Sequence, residues 1–314
     1  MYFIFILSLF PKFLFSQTFE EREKKIAVQN KILSKTQWDY SYSNGTMSKQ
    51  GTKISITKYN KAGDIIEEDN LNVKGQITGW EKYEYDAKGN KTSYEKSSNS
   101  GKYNKVYKYD EKNNLILETG FNGAENFRNT FTYNSSVKLE TLIYSVNNSI
   151  EEKRIYSYNG SKCIISIYKG GQTLTSKLKL VYDVKGNVIE ETVMSLDDKE
   201  KEKKTYKYNS VSQVTEEEKN QGGVLNYRIT YTYDVQDNLL TQSEETKSYK
   251  KYVKKTYIYN TSGNLTEYKW RRTPDDEFNV KTYTYNLKGI CLTEHTYYPK
   301  TKFELLSKYE YEFF

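Results

Sequence analysis

The pattern of apolar and polar residues repeats along the chain with a period of 24–26 residues. Each period contains two aromatic or apolar residues separated by one polar residue, as in Tyr83-Glu84-Tyr85. Such alternation, in segments rich in Tyr and Thr, is typical of a β-strand with one buried face. If the second residue is taken as an anchor, the pattern recurs at Tyr59, Tyr85, Tyr109, Tyr133, Tyr158, Tyr182, Tyr208, Tyr233, Tyr259, Tyr285 and Tyr311. A period this regular predicts a repeat architecture.

Turn-forming residues follow the anchors and predict that each repeat is a β-hairpin. Asp or Asn at position +1 can accept a hydrogen bond from the backbone two residues on, and Gly at +4 can close a three-residue loop with left-handed backbone. An apolar residue then returns at +6 in most repeats: Ile65, Leu115, Leu139, Ile164, Val188, Val214, Leu239 and Leu265. This turn places the anchor opposite +6. We therefore expect position −2 to face +8 and position −4 to face +10.

Some repeats lack Gly at +4. Asn113 and Asp237 stand there in two of them, and both residue types tolerate left-handed backbone. Val137 and Lys162 are poorly suited to it, so we expect these two hairpins to turn differently. In the second case Asn159-Gly160 is a candidate turn.

A second group of turn residues lies near position −10, between consecutive hairpins, and includes Pro274 and Pro299. Pro is tolerated in such connectors because no ladder N–H is needed there. The predicted fold class is therefore all-β, a long antiparallel meander of about ten hairpins with one short N-terminal helix. Because twist accumulates in open sheets of more than roughly ten strands, we expect the meander to coil into a twisted sheet or spiral.

The N-terminal region departs from the repeat. Residues 1–16 are almost wholly apolar and are predicted to be a signal peptide, with a retained anchor as the alternative, since a membrane span needs about 20 residues. Residues 17–56 are expected to hold a helix from about 19 to 33, which caps the first edge of the sheet, and an irregular hairpin that turns at Ser43-Asn44-Gly45-Thr46. Residues 57–314 form the repeats. We expect an exported protein, located in the periplasm, at the cell surface or in the medium, with no transmembrane segment after signal removal.

Composition adds two points. Tyr accounts for 32 of 314 residues, so the core must be largely aromatic. The net charge is +7, but both signs alternate along the strands, as around Lys203 and Glu216, which is typical of a solvated face and not of a nucleic-acid site. Basic residues at −4, such as Lys105 and Lys281, are expected to pair with Glu at +8.

Candidate catalytic and metal-binding residues are few. Cys163 and Cys291 lie five repeats apart and are expected to be free thiols, because a disulfide needs Cα atoms within about 7 Å. The single histidine, His295, has no Cys or carboxylate at ligand spacing. Adjacent acids such as Glu190-Glu191 point to opposite faces of a strand and do not form a two-carboxylate site. We expect no enzymatic activity, no cofactor and no metal. The alternative of calcium at the Asp/Asn turns lacks the Gly-Gly-x-Gly-x-Asp run.

The anchor tyrosines are the candidate binding residues. We expect them to line one face of the sheet as an aromatic ladder of Tyr85, Tyr109, Tyr182, Tyr208, Tyr233, Tyr259 and Tyr285. The favoured hypothesis is that the rings pack on the apolar +6 residues, since aromatic–aliphatic pairs stabilise a ladder. The alternative is a partly exposed track for sugar rings or an extended polymer, because the Tyr hydroxyl prefers water or a polar partner.

The turn sequence resembles the YD-repeat family, also called RHS repeats. Tyr85-Asp86 with Gly89, Tyr182-Asp183 with Gly186, and Tyr259-Asn260 with Gly263 carry the resemblance, which extends over about residues 57 to 314. It implies hairpins coiled into a β-sheet spiral. Large members of the family form hollow cocoons around a toxin, or act as cell-surface adhesion and carbohydrate-binding proteins. Eleven anchors are fewer than we expect for a toxin-sized cocoon.

These observations lead to one principal hypothesis about function. We expect a short bacterial, non-enzymatic, exported repeat protein that provides a binding or structural surface for glycans, a cell-envelope polymer or another protein. The alternative is an RHS-type encapsulation accessory for a separately encoded toxin.

Overall fold

A computed structural model describes residues 19–43 and 45–314 of the chain. The predicted signal peptide and Asn44 of the predicted first turn lie outside the described residues. The one helix in the described residues is α1, Phe19–Asn30. It ends earlier than predicted, because Lys31 has left-handed backbone (φ 53°) and a strand begins at Ile32.

The rest of the described chain is a succession of β-strands. The first twelve are β1 Ile32–Ser43, β2 Thr46–Met47, β3 Thr52–Tyr59, β4 Ile65–Leu71, β5 Ile77–Tyr85, β6 Lys91–Ser98, β7 Gly101–Tyr109, β8 Leu115–Phe121, β9 Asn126–Tyr133, β10 Leu139–Val146, β11 Ser149–Asn159 and β12 Lys162–Lys169. They are followed by β13 Thr173–Tyr182, β14 Val188–Met194, β15 Glu200–Tyr208, β16 Val214–Gln221, β17 Val224–Tyr233, β18 Leu239–Thr246, β19 Tyr252–Tyr259, β20 Leu265–Trp270, β21 Asn279–Tyr285, β22 Cys291–Tyr298 and β23 Phe303–Phe313.

The described residues fall into two compact units. Unit 1 contains Ile155–Ile167 and Leu174–Thr256, and within it β13 to β19 pair antiparallel in chain order. Unit 2 contains Phe19–Arg154, Tyr168–Thr173 and Tyr257–Phe314. Within unit 2, β3 to β10 and β20 to β23 form two further antiparallel runs. The predicted antiparallel meander of hairpins is confirmed in both units.

The first and last strands of the chain pair with each other. In unit 2, β1 lies antiparallel to β23, with Lys35 opposite Tyr311 and Ser41 opposite Leu305, and its other side pairs with β3. The prediction of an open twisted sheet or spiral, in which β1 would be a free edge, is therefore wrong. An unpaired edge leaves a row of N–H and C=O groups without partners, and the β1–β23 ladder satisfies that row within the chain.

The turn predicted from Asp or Asn at +1 and Gly at +4 forms after anchors such as Tyr182. Backbone N–H of Asn187 donates to Asp183 Oδ1 at 2.8 Å, and Asn187 Nδ2 donates to Asp183 Oδ2 at 2.8 Å. Gly186 has the expected left-handed backbone, with φ 84°. Tyr182 consequently lies opposite Val188, the pairing predicted between the anchor and position +6.

A β-bulge directly after this pair changes the register of the rest of each hairpin. Tyr85 pairs with Lys91, but Tyr83 pairs with Tyr94, so one extra residue lies on the second strand. Position −2 therefore faces +9 and position −4 faces +11, and the predicted pairing with +8 and +10 is wrong. The same shift occurs in the hairpins anchored at Tyr59, Tyr109, Tyr133, Tyr182, Tyr208, Tyr233 and Tyr285. A bulge is the usual companion of a three-residue loop that ends in left-handed backbone.

The bulge decides which side chains share a face. We call the side of the sheet that carries the anchors the tyrosine face; it also carries positions −2, +6 and +9. Glu191 lies opposite Leu180 on this face, whereas Glu190 lies on the other face, where it pairs with Lys179 and Lys203 at 2.7 Å each. The prediction that adjacent acids point to opposite faces is confirmed.

Basic residues at −4 pair with acids one position further along than predicted. Lys105 Nζ lies 2.8 Å from Glu118 Oε1, and Lys281 pairs with Glu294. Both acids stand at +9, because the bulge brings that position onto the tyrosine face.

The turns that lack Gly give a mixed outcome. Asn113 and Asp237 adopt left-handed backbone, with φ 71° and 65°, as predicted. Val137 also does so, with φ 60°, and the prediction of a different turn there is wrong. Asn134 fixes that turn, since its Oδ1 accepts two backbone N–H groups at 3.0 Å. The prediction for Gly160 is confirmed, because it carries a tighter turn with φ 57°.

Candidate binding surface

The anchor hydroxyls bind the backbone of the preceding hairpin. Tyr85 Oη donates to Ile65 O at 3.0 Å, and Tyr208 Oη donates to Val188 O at 2.6 Å. In each case the acceptor is the +6 residue of the hairpin before. The same bond, at 2.6–2.9 Å, joins Tyr109 to Lys91, Tyr133 to Leu115, Tyr233 to Val214, Tyr285 to Leu265 and Tyr311 to Cys291. Phenylalanine at these positions would pack but would not form this link.

The seven tyrosines of the predicted ladder are all half-buried. Five of them, Tyr85, Tyr109, Tyr208, Tyr233 and Tyr285, donate their hydroxyls to the backbone in this way. Burial raises the pKa of Tyr182 to about 12, and the ring of Tyr259 lies 6.0 Å from Arg22 Cζ. The structure brings these residues onto the tyrosine face of their own units, and their use as a ligand site stays a prediction.

A second row of tyrosines, at −2, lies opposite acids on the same face. Tyr107 faces Glu118, and burial together with that carboxylate raises the pKa of Tyr107 to about 12. Tyr206 faces Glu217 in the same way, and Glu217 accepts a 2.6 Å hydrogen bond from Tyr227 Oη. Sequence reasoning placed aromatic residues at −2 but missed the acids opposite them, because the bulge was not counted, although the repeated Glu at +9 was visible.

One acid on this face is fully engaged by its neighbours. Glu81 accepts hydrogen bonds from Tyr83 Oη at 2.8 Å and Tyr94 Oη at 3.2 Å, and it pairs with Lys96 at 2.7 Å. Burial opposes ionisation of Glu81, but these donors outweigh it and lower its pKa. This network links β5 to β6 on the tyrosine face.

Five aromatic side chains in unit 2 form a continuous row across β19 to β23, which we call the aromatic strip. The rings of Tyr257 and Tyr268 are stacked with centroids 5.0 Å apart, and Tyr268 and Trp270 are stacked at 4.9 Å. Trp270 meets Tyr298 edge-on at 5.6 Å, and Tyr298 lies 5.8 Å from Phe303. Tyr257, Tyr268, Trp270 and Tyr298 are half-buried, as the tyrosines of the predicted ladder are, and Phe303 at the end of the strip is 49% exposed.

Polar groups flank the aromatic strip. Asn279 Nδ2 donates to Trp270 O at 3.2 Å, and Lys281, opposite Tyr268, pairs with Glu294. A row of partly exposed aromatic rings beside amide, ammonium and carboxylate groups is suited to a ligand that is apolar on one side and hydroxylated at its rim. No single residue of the strip stood out in the sequence, because Tyr268 and Trp270 occupy +9 and +11.

The remaining candidate residues do not form a reactive centre. His295 Nε2 lies 2.7 Å from Glu304 Oε1, on the face opposite the anchors. Neither cysteine forms a disulfide, as predicted, and burial raises the pKa of Cys291 to about 12, so it stays a thiol. Across residues 19–43 and 45–314 no group of three His, Cys, Asp or Glu side chains is placed to hold a metal ion. In the same residues no helix is long and apolar enough to cross a membrane.

The repeat turn and its register agree with a family comparison. Residues 121–254 match the family model of the Teneurin YD-shell. The matched segment lies within the predicted repeats and covers less than half of the chain. It confirms the resemblance to YD repeats seen in the Tyr-Asp turns. The structure gives a physical basis for the motif: Tyr bonds the preceding hairpin and Asp fixes its own turn.

Solved structures of toxin complexes and porin-like proteins show partial similarity. TcdB2-TccC3 is 13% identical over 88% of this chain and 20% of that chain, with a TM-score of 0.28. The Tc holotoxin pore of Photorhabdus luminescens is 13% identical over 88% and 18%, with a TM-score of 0.30. A porin-like protein from Bacteroides uniformis is 12% identical over 75% and 97%, with a TM-score of 0.35. The chain thus spans at most a fifth of the length of these two toxin-complex chains. No curated protein matches it.

Proposed function

We propose that this protein is a non-enzymatic, exported structural protein that binds a carbohydrate polymer of the cell envelope through the aromatic strip. The observation that carries the proposal is the stack of Tyr257, Tyr268 and Trp270, which is continued by Tyr298 and by Phe303, the exposed end of the strip. The apolar residues 1–16 support export, because they have the length and composition of a signal-peptide core.

The chemistry of a sugar ring fits this surface. A pyranose has an apolar C–H face, which packs on the exposed parts of aromatic rings, and hydroxyls at its rim. Asn279 donates one amide N–H to Trp270 O, and Lys281 pairs with Glu294. The second amide N–H and the oxygen of Asn279, and the further N–H groups of Lys281, are the partners for the sugar hydroxyls. Rings already stacked at 4.9–5.0 Å are held in place before the ligand arrives, so little side-chain freedom is lost on binding. A row of rings also suits several units of a polymer in succession.

The anchor ladder is the less suitable site for such a ligand. A hydroxyl such as that of Tyr208 already donates to a backbone carbonyl, at 2.6 Å. A ligand would have to compete with that bond. We assign the anchors a structural role and the aromatic strip the binding role.

Retention on insoluble peptidoglycan, chitin and cellulose tests the proposal. Trp270→Ala should lower the affinity for the polymer that retains the wild-type chain by about tenfold or more, as expected for a central aromatic contact. Trp80→Ala is the matched control, because Trp80 lies on the opposite face with Lys82 Nζ 5.1 Å above its ring. Equal retention of both variants, or failure of all three polymers to retain the wild-type chain, would contradict the proposal.

A second candidate function is enclosure of another polypeptide, which the match to a YD-shell model favours. In that case the tyrosine face would contact a protein cargo, as an accessory to a separately encoded toxin. The two functions are separated by co-expressing the chain with a candidate toxin cargo and subjecting the product to limited proteolysis. If the cargo is protected from the protease, and Trp270→Ala does not change that protection, enclosure would be favoured.

A further inference from the structure

Helix α1 packs on the turns of unit 2 and not along a strand edge. Its residue Ala27, 3% exposed, lies in a cluster with Tyr59 and Ile290, which are 3% and 2% exposed. Ile26 and Tyr311 pack against the same cluster. The helix therefore touches residues from the first repeat and from the last two.

The contact with the first repeat is close. Lys24 pairs with Asp64, and Gly63 lies directly beneath the helix. A Cβ atom on Gly63 would come within 2.6 Å of the Lys24 carbonyl oxygen and 2.7 Å of Val28 Cγ2. Only a glycine allows the helix to approach this turn so closely.

The contact with the end of the chain is of a different kind. Arg22 Nη1 donates to Gly263 O at 2.8 Å, in the turn of the ninth repeat. Ile290, in the turn of the tenth repeat, is covered in the apolar cluster. The helix thus holds turns that lie on either side of the β1–β23 ladder.

The β1–β23 ladder has no connecting turn, although nine residue pairs and side-chain bonds such as Trp38 Nε1 to Glu310 Oε2 at 2.9 Å link its strands. The two strands of each hairpin are joined by a short turn, so their pairing closes a short loop. Ser34 and Glu312, which bond across the β1–β23 pair at 2.7 Å, are 278 residues apart in the chain. Because closing a longer loop carries a larger entropic penalty, this pair gains most from a contact that bridges both sides.

We propose that α1 is a strap that keeps the β1–β23 pair closed, and that its release opens this pair before any hairpin unfolds. The strap consists of Arg22, Lys24 and Ala27 with their contacts. It forms a built-in point of opening in the chain and does not depend on carbohydrate binding.

Hydrogen exchange of the full chain, followed by mass spectrometry, tests the strap. Gly63→Ala should speed exchange of the β1 and β23 amides about tenfold or more, while β6 and β7 stay unchanged. Gly89→Ala is the matched control, since Gly89 has a similar φ, 84° against 77°, but no atom lies within 4 Å of its added Cβ. It should affect only the hairpin that contains it.

Arg22→Ala provides a second variant that introduces no clash. It removes the hydrogen bond to Gly263 O. It should speed amide exchange in β1 and β23 by a factor similar to that in α1. Faster exchange in α1 with unchanged β1 and β23 in either variant would overturn the proposal. So would an equal increase across all strands. If Gly63→Ala does not fold, Arg22→Ala decides the question alone.

Discussion

Tyr208 Oη donates a 2.6 Å hydrogen bond to the backbone carbonyl of Val188, the first residue of the second strand in the preceding hairpin. This bond ties one repeat to the one before it, so each anchor contributes both to its own hairpin and to its neighbour. Repeat proteins are stabilised by such nearest-neighbour contacts. The bond explains why the seven anchors that form it are tyrosine and not phenylalanine.

Replacing Tyr208 by Phe should lower the free energy of unfolding by about 1 kcal/mol, because one buried hydrogen bond is lost while the ring is kept. Urea titration measures the change. Tyr297→Phe is the control, since Tyr297 is 37% exposed and lies on the opposite face, and it should leave the midpoint unchanged. An equal loss in both variants would show that the inter-repeat bond adds nothing.

Replacing Val137 by Gly should stabilise the protein by about 1 kcal/mol. A β-branched residue is strained at φ 60°, and Val137 is 44% exposed, so little apolar burial is lost. The reverse change, Gly186→Val, should destabilise by about 1–2 kcal/mol through strain alone, because nothing lies within 4 Å of the added Cβ. Thermal or urea midpoints that move in the same direction for both variants would contradict this account of the turn.

Glu190 and Glu191 should give opposite pH dependences although they are neighbours. Burial opposes ionisation of Glu190, but Lys179 and Lys203 outweigh it and lower its pKa to about 2. A lowered folded-state pKa stabilises the fold above the unfolded pKa of about 4.3, and this stability is lost as the pH falls toward 2. Glu190→Gln should therefore remove about 1 kcal/mol at pH 6 and almost nothing near pH 2, after allowance for solvent screening.

Glu191 provides the comparison. Burial is the largest influence on it and raises its pKa, so its protonated form is favoured in the folded chain. The stability it contributes is present below the unfolded pKa and is lost as the pH rises through the folded pKa. Glu191→Gln should make the protein relatively more stable at pH 6 than at pH 3. Urea midpoints at several pH values that fall together for both variants would contradict the assignment of the two faces.

The local design of the repeat was predictable because it depends on neighbouring residues. The Tyr182–Val188 pairing follows from a turn that Asp183 and Gly186 define. The tight turn at Gly160 followed from the same reasoning. Val137 was misjudged because the turn is held by the backbone N–H groups of Ser136 and Lys138, which donate to Asn134 Oδ1. These bonds outweigh the strain of left-handed backbone at Val137.

Features that depend on distant residues were not predictable. The pairing of β1 with β23 joins segments almost a whole chain apart, and no local pattern identifies such a partner. The aromatic strip was missed because the bulge residue was not counted. Without it, Tyr268 and Trp270 are assigned to the face opposite the anchors, whereas the structure stacks them on the tyrosine face. A register error of one residue moves a side chain to the other face.

The most direct test of the proposed function uses fluorescence from Trp270. The chain has three tryptophans, so a Trp38→Phe/Trp80→Phe variant leaves Trp270 as the only one. The variant is titrated with soluble peptidoglycan fragments, chitin oligosaccharides and cellulose oligosaccharides. The saccharide that corresponds to the polymer that retains the wild-type chain should produce a saturable change in Trp270 emission. Unchanged Trp270 emission with a saccharide that binds the chain would contradict the assignment of the site.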